Sequence, residues 1–222
     1  SLLRRILTAT ALLTVSSTGF AADKLSIGIT LQPYYSYVKA VVGEKADIVP
    51  LVDAGFNPHN YLPQPNDLKR LNEMDVIVIN GIGHDDFALK VIKASQRDDL
   101  VVIEANKEVP LLPAMGQSVG QGAVNPHTFV GLSTTIQKVY TIASELSQLD
   151  PDNATFYRQN ARIYAKTFRL MKRDAMLSLG ELDTAGMKVA TTHNAYGYIL
   201  QEFGVDVAAV IEPAHGVEPS AS

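Results

Sequence analysis

The sequence predicts an α/β protein in which two lobes of parallel β-sheet, flanked by helices, are joined by one long rigid helix. Two observations support this fold class. Short apolar runs alternate with stretches of helical periodicity in two separate parts of the chain. Between these parts lies a helical pattern of about 29 residues, which at 1.5 Å per residue gives a rod long enough to brace both lobes.

The first alternation predicts a doubly wound sheet. The run Asp75–Asn80 (DVIVIN) is continuously apolar in its middle, as expected of a strand buried on both faces. The strand candidates are Leu25–Leu31, Ile48–Val52, Asp75–Asn80 and Leu100–Glu104. The helix candidates are Pro33–Val42, Gln64–Met74 and Asp86–Ala94. Strands that alternate with helices at this spacing are typical of parallel sheets.

The long helix has the clearest boundaries. Asp150 is its predicted cap, Pro151 stands at the first helical position, and the pattern continues to about Leu179. Its apolar residues form one stripe, at Tyr157, Ala161, Tyr164, Phe168, Met171, Ala175 and Leu179. Alternation then resumes with strand Lys188–Thr192, helix Ala195–Phe203 and strand Val205–Ile211. The predicted divisions are an export signal (1–21), a first lobe (22–130), linking helices (131–180) and the start of a second lobe (181–222).

Composition narrows the possible functions. The net charge of −4 over 222 residues disfavours nucleic acid as a partner, because binding to phosphates usually requires a basic face. The chain contains no cysteine. Disulfides, thiolate metal sites and a lipid-modified cysteine are therefore not expected.

The N-terminal residues resemble an export signal. Arg4 and Arg5 precede the apolar stretch Ile6–Val15, and Gly19-Phe20-Ala21 gives a small-x-small cleavage pattern. This stretch is shorter than the ~20 residues that span a bilayer, so we expect cleavage and a soluble periplasmic protein. The alternative is a buried N-terminal helix. Because the chain begins without methionine and ends on a helix-start pattern, Glu218–Ser222, we expect a fragment of a longer protein.

Three histidines lie at or near the ends of predicted elements, where an open α/β sheet gathers its ligand site. His59 lies between a strand and a helix, His127 lies where the long loop enters a helix, and His193 directly follows a strand. Each neutral imidazole offers one nitrogen donor, so the set suits a divalent transition metal. Taken singly, each histidine is more simply explained as a polar loop residue, and only their repeated position at the ends of elements favours a shared site.

The segments around these histidines resemble the three motifs of the solute-binding proteins of zinc and manganese ABC importers, the cluster A-I group. The matching segments are HNYLPQPND (59–67), NPH (125–127) and HNAYGY (193–198), and LDPDNATFYRQNARIY (149–164) is similar to the family's backbone helix. The similarity extends from about Leu25 to the end of the chain. It implies a metal ion held between two lobes by His59, His127 and His193, and delivery to an ABC transporter membrane permease without catalysis. We expect a monomer.

The resemblance also implies a fourth ligand, an aspartate late in the second lobe, which no residue here matches. The chain departs from the family pattern at Phe129, where tryptophan is usual, and at Gly131-Leu132, where an acidic-Pro pair is usual. The family's manganese proteins tend to carry a carboxylate where this chain has His193. Three imidazoles favour zinc, since manganese prefers oxygen donors, although manganese remains possible.

Other interpretations stay open. His84 could be an additional ligand at the cleft mouth, or part of a helix-capping turn. His215 likewise could be a ligand or a residue with only a structural role. Glu212 and Glu218 are candidate substitutes for the fourth ligand. A zinc hydrolase is the alternative from another functional class, because three histidines and a water also form a catalytic arrangement. Against it, the chain lacks a general-base motif such as H-E-x-x-H. The lack of a lipid-anchor cysteine disfavours a surface adhesin on the same fold.

Overall fold

The computed structural model describes residues 24–58, 60–114, 122–184 and 186–211. The predicted export signal lies outside these ranges, and so do His59, His215, Glu212 and Glu218. No helix within the described ranges is both long enough and apolar enough to cross a membrane.

The first sheet contains four parallel strands, as predicted. They are β1 (Leu25–Ile29), β2 (Ala46–Pro50), β3 (Val76–Ile79) and β4 (Val101–Glu104), in the order β2-β1-β3-β4. Every residue of β3 is buried, which confirms the interpretation of its apolar run. The chain crosses to opposite sides of β1 to form β2 and β3. The carboxyl ends of β1 and β3 therefore flank the switch point where such sheets bind ligands.

Three helices connect these strands: α1 (Pro33–Val42), α2 (Pro65–Leu71) and α3 (Asp86–Ser95). The packing below β1 is tight, and Gly28 shows how tight. A Cβ atom at this position would lie 2.3 Å from the Met74 sulfur and 3.1 Å from Ile77 Cγ1. Glycine in β1 therefore makes room for Met74, which is 1% exposed in the core of the first lobe.

Two long helices follow the loop that ends at His127. They are α4 (Leu132–Leu149) and α5 (Ala154–Gly180), the second of 27 residues. Residues Pro151–Asn153 form a 3₁₀ turn, so α5 begins three residues later than predicted. The Asp150 carboxylate accepts hydrogen bonds from Tyr157 Oη (2.5 Å) and Asn153 Nδ2 (2.8 Å). It makes no hydrogen bond to the helix backbone, so the prediction that Asp150 caps the helix is wrong.

The apolar stripe of α5 has two different environments. Tyr157 and Ala161 are fully buried in the core of the first lobe. Further along the same stripe, Met171 is 52% exposed. The helix thus packs against the first lobe through its N-terminal half, and the chain then continues into the second sheet.

The second sheet contains two parallel strands, β5 (Lys188–Thr191) and β6 (Asp206–Val210). Helix α6 (Gly197–Glu202) connects them and is shorter than the predicted Ala195–Phe203. Two parallel sheets with flanking helices and one long helix confirm the predicted fold class. The predicted domain limits remain predictions.

Candidate metal centre

His127 is held by the amide side chain two residues before it. Asn125 Oδ1 accepts a hydrogen bond from the His127 backbone N–H (3.0 Å) and lies 2.8 Å from ring Nδ1. Because a carboxamide oxygen can only accept, the ring proton resides on Nδ1 and the lone pair on Nε2. The ring is 3% exposed. The lone pair of His127 Nε2 is therefore available to a metal ion and is fixed in direction.

His193 lies in the loop between β5 and α6, and its ring meets His127 edge-on. The two Nε2 atoms are 3.0 Å apart, and the ring planes are inclined by 86°. Two nitrogens bound tetrahedrally to one zinc at 2.0–2.1 Å would be separated by about 3.3–3.4 Å. The observed spacing is close to this value. The two nitrogens can share one proton in a hydrogen bond or approach one cation, but not both at once.

Asn125 also connects the two lobes. Its Nδ2 donates to the backbone oxygen of Asn194 at 3.1 Å, directly beside His193. Its own backbone oxygen accepts from the Tyr198 hydroxyl at 2.6 Å, and that hydroxyl accepts from the Leu112 N–H at 3.1 Å. One residue thus fixes the His127 ring and the loop that carries His193.

Asn80, at the carboxyl end of β3, fixes the backbone immediately before each of two histidines. Its Nδ2 donates to the backbone oxygens of Gly83 (2.8 Å) and Pro126 (3.2 Å), the residues that precede His84 and His127. The side chain is fully buried. Sequence reasoning missed Asn80, although an amide at the end of a buried strand, at the ligand-binding edge, was the available signal.

His84 lies against His127, with ring centroids 4.4 Å apart, and is 8% exposed. Its φ of 69° falls in the left-handed region that residues other than glycine rarely adopt. No group of three histidine, aspartate or glutamate side chains within the described ranges is arranged to hold a metal ion. His84 lies beside the His127 ring, and its role as an additional ligand stays a prediction. Of the three predicted ligands, the described residues contain the pair His127 and His193.

Asp85, next to His84, organises the turn that follows β3. Its Oδ2 accepts from the Thr30 hydroxyl at 2.7 Å and from the Asn80 N–H at 2.6 Å, which joins the ends of β1 and β3. Burial raises the pKa of the Asp85 carboxyl, and these hydrogen bonds oppose the increase. The segment forms a turn around Asp85, and α3 receives no side-chain cap.

A buried lysine lies beneath the turn that follows His127, and sequence reasoning missed it. Lys138 of α4 is 0% exposed, and its Nζ donates to Thr128 Oγ1 at 3.1 Å. The rings of Tyr34, Tyr37 and Phe129 surround Nζ with centroids 5.3 to 5.8 Å away. Burial lowers the pKa of Lys138 well below its ordinary value.

Residues 27–222 match the sequence profile of the ZnuA family, described as zinc-uptake complex component A, periplasmic. The chain belongs to the ZnuA family. The match includes all three histidine segments and the loop that Asn125 fixes. The resemblance found from the motifs is thereby confirmed.

Proteins similar to this chain are described with different metals. FpvC from Pseudomonas aeruginosa, whose structures contain Ni²⁺ or Mn²⁺, is 53% or 54% identical over 89% of this chain, with TM-scores of 0.81 and 0.82. This chain covers 70% or 72% of those chains. The high-affinity zinc uptake protein ZnuA of Bacillus subtilis is 24% identical over 94% of this chain. The manganese transporter lipoprotein PsaA of Streptococcus pneumoniae is 26% identical over 89%. The chain spans 68% and 65% of these two curated relatives.

Proposed function

We propose that the protein is an extracytoplasmic receptor that captures a divalent transition-metal ion and delivers it to the membrane permease of an ABC importer. The observation that carries this proposal is the 3.0 Å separation between His127 Nε2 and His193 Nε2, across the gap between the lobes. Family membership supports the same role. The predicted export signal (1–21) supports a periplasmic location.

The proposed ligands are His59, His127 and His193. His127 and His193 come from different lobes, so an ion bound by both would hold the lobes together. His59 belongs to the segment between β2 and α2, six residues before Pro65, the first residue of α2. The fourth ligand remains the aspartate that the resemblance implies.

We propose zinc as the cargo. Imidazole nitrogen suits zinc better than manganese, which prefers oxygen donors. Related proteins are named for zinc and manganese, and structures of FpvC are described in complex with Ni²⁺ and with Mn²⁺, so the family accommodates several divalent metals. Manganese is the second candidate.

We propose no catalytic role. A zinc hydrolase needs a general base within reach of the metal-bound water. Among the described residues, the carboxylate next to His84, that of Asp85, accepts hydrogen bonds from Thr30 and Asn80 and is fully buried. Its lone pairs are committed to the turn, so it does not act as such a base.

The test is isothermal titration of the full-length, chelator-stripped protein with zinc. We expect about one equivalent to bind, and His59→Ala, His127→Ala or His193→Ala each to weaken binding severely, because each removes one of four donors. Lys90→Ala, an exposed position on α3, is the control. Unchanged zinc affinity in any two of the three histidine variants would refute the ligand assignment. Hydrolysis of generic ester or peptide substrates by the zinc-loaded protein would favour the hydrolase.

A further inference from the structure

Glu202, at the end of α6, connects three helices. Its Oε1 accepts from the backbone N–H of Ser133 at 2.9 Å, and its Oε2 accepts from the Ser133 hydroxyl at 2.9 Å, in the first turn of α4. Lys172 of α5 places Nζ 3.0 Å from Glu202 Oε2 and donates to Ser133 Oγ at 3.0 Å. We call the three residues Glu202, Ser133 and Lys172 the clasp.

The clasp is sheltered from solvent. The side chains of Lys172 and Glu202 are 28% and 11% exposed. Every other ion pair in the described part of the chain has a partner at least 48% exposed. Exposed pairs contribute little, whereas a sheltered carboxylate that accepts from the first turn of a helix gains from charge-assisted bonds and from the helix dipole. The clasp is therefore a specific connection.

The backbone approaches closely at the same place. A Cβ atom on Gly131, just before α4, would lie 2.5 Å from Thr134 Oγ1 of α4, 3.0 Å from Glu202 Oε1 and 3.1 Å from Tyr198 Cβ. Gly131 has an ordinary φ of −80°, so its lack of a side chain serves space and not backbone conformation. Tyr198 lies one helical turn before Glu202, and its hydroxyl bonds to Asn125 O at 2.6 Å. One face of α6 is thus fixed to the first lobe at two levels.

Helix α6 begins at Gly197, four residues after His193, so its position determines where the His193 ring lies. We infer that Glu202 is a positioning residue of the metal centre, because the clasp holds α6 against α4 and α5 and so keeps His193 Nε2 beside His127 Nε2. This inference rests on the proposed function, since it takes these two rings as ligands. A site whose donors are held in place loses its ion more slowly than one whose donors drift apart.

The first experiment measures zinc affinity and the rate of zinc release into excess chelator in the full-length protein. Glu202→Gln keeps the shape and removes the charge, so we expect faster release and an affinity lower on the order of tenfold. Gly131→Ala leaves the carboxylate intact but crowds Thr134 within α4 as well as Glu202 and Tyr198 of α6, and we expect the same direction. Glu181→Gln, at an exposed position just after α5, is the matched control and should change neither quantity.

A double-mutant cycle separates positioning from general destabilisation. In a His193→Ala background there is no ring left to position, so Glu202→Gln should weaken zinc binding no further. An equal loss of affinity in both backgrounds would mean that Glu202 acts on the fold as a whole. Unchanged zinc affinity and release in Glu202→Gln alone would also overturn the inference.

The second experiment needs no metal. These 222 residues contain no cysteine, and Lys93→Cys on α3 and Ala208→Cys on β6 provide two exposed positions for spin labels. The distance distribution between the labels should broaden in Glu202→Gln and in Gly131→Ala, and stay narrow in Glu181→Gln. A narrow distribution in all variants contradicts the clasp. If instead the distribution broadens but His193→Ala leaves zinc affinity unchanged, the proposed function fails, and with it the role of Glu202 in metal binding.

Discussion

Asn125 and His127 are joined by two hydrogen bonds to the same carboxamide oxygen, one from the backbone N–H at 3.0 Å and one from ring Nδ1 at 2.8 Å. The second bond sets the tautomer and the first sets the loop conformation that brings the ring to it. Because Asn125 Nδ2 also donates to Asn194 O, the amide cannot flip without losing contacts on both sides. Orientation of the His127 donor and attachment of the second lobe therefore depend on one side chain.

Replacing Asn125 tests this relationship. Asn125→Ala should lower zinc affinity by about 10- to 100-fold, because the ring loses the partner that orients it. Asn125→Asp keeps the acceptor for Nδ1 and loses the donor to Asn194, so it should cost less. Competition with a chromophoric chelator gives both affinities, with Lys90→Ala, at an exposed position on α3, as control. A loss in Asn125→Asp as large as in Asn125→Ala would show that an acceptor for Nδ1 is not sufficient to keep the site.

Replacing His193 by a carboxylate tests the choice of metal. His193→Glu should shift preference towards manganese, since a carboxylate is a harder donor and nitrogen donors disfavour manganese in the Irving–Williams order. Competition dialysis against equal zinc and manganese measures the ratio bound. His193→Ala serves as comparison, because it removes a donor without supplying oxygen. The same ratio in wild type and His193→Glu would show that this position does not set selectivity.

The buried Lys138 predicts a pH-dependent stability difference. Its pKa is lowered in the folded protein, so between that lowered value and the ordinary 10.5 the unfolded chain binds one more proton, and stability rises with pH. Lys138→Met removes this contribution of Lys138 to the pH dependence of stability. Relative to the variant, the wild type should be least stable at pH values below the lowered pKa of Lys138. Its free energy of unfolding should then increase as the pH approaches 10.5, by about 1.4 kcal/mol for each unit by which burial lowers that pKa.

Urea denaturation of the wild type and Lys138→Met between pH 6 and pH 10 measures this difference. Changes in all other titrating groups cancel when the two curves are subtracted. Lys90→Met, at an exposed position on α3, should give a curve parallel to that of the wild type. Parallel curves for Lys138→Met as well would mean that Lys138 remains charged in the core.

The contact between β1 and Met74 predicts a coupled pair. Gly28→Ala places a methyl group 2.3 Å from the Met74 sulfur and should destabilise the fold by about 1–3 kcal/mol, because the side chain must move in a packed core. In a Met74→Ala background the clash with the Met74 side chain is absent and only the contact with Ile77 Cγ1 remains, so the same substitution should cost less. Thermal or urea unfolding of the four proteins gives the coupling energy. Additive losses would show that the two residues do not compete for the same volume.

Local patterns in the sequence were sufficient for most of the fold. The buried run DVIVIN became β3, and the alternation of short strands and helices became parallel sheets, because burial and periodicity act over a few residues. Boundaries were less certain. The predicted start of the long helix at Pro151 became a 3₁₀ turn, since the Asp150 carboxylate bonds to Tyr157 and Asn153.

The sequence by itself determined which histidines to consider, because His127 and His193 stand where elements end and within motifs of fixed order. Their 3.0 Å approach depended on contacts between residues far apart in the chain. Asn125 reaches Asn194, and Glu202 reaches Ser133 beside Gly131-Leu132, the pair that departs from the family pattern. Lys138, buried under three aromatic rings, looks from its sequence like a solvent-exposed helix residue. Tertiary structure decided these points, because a hydrogen bond or a buried charge depends on which surfaces meet, and local periodicity carries no information about that.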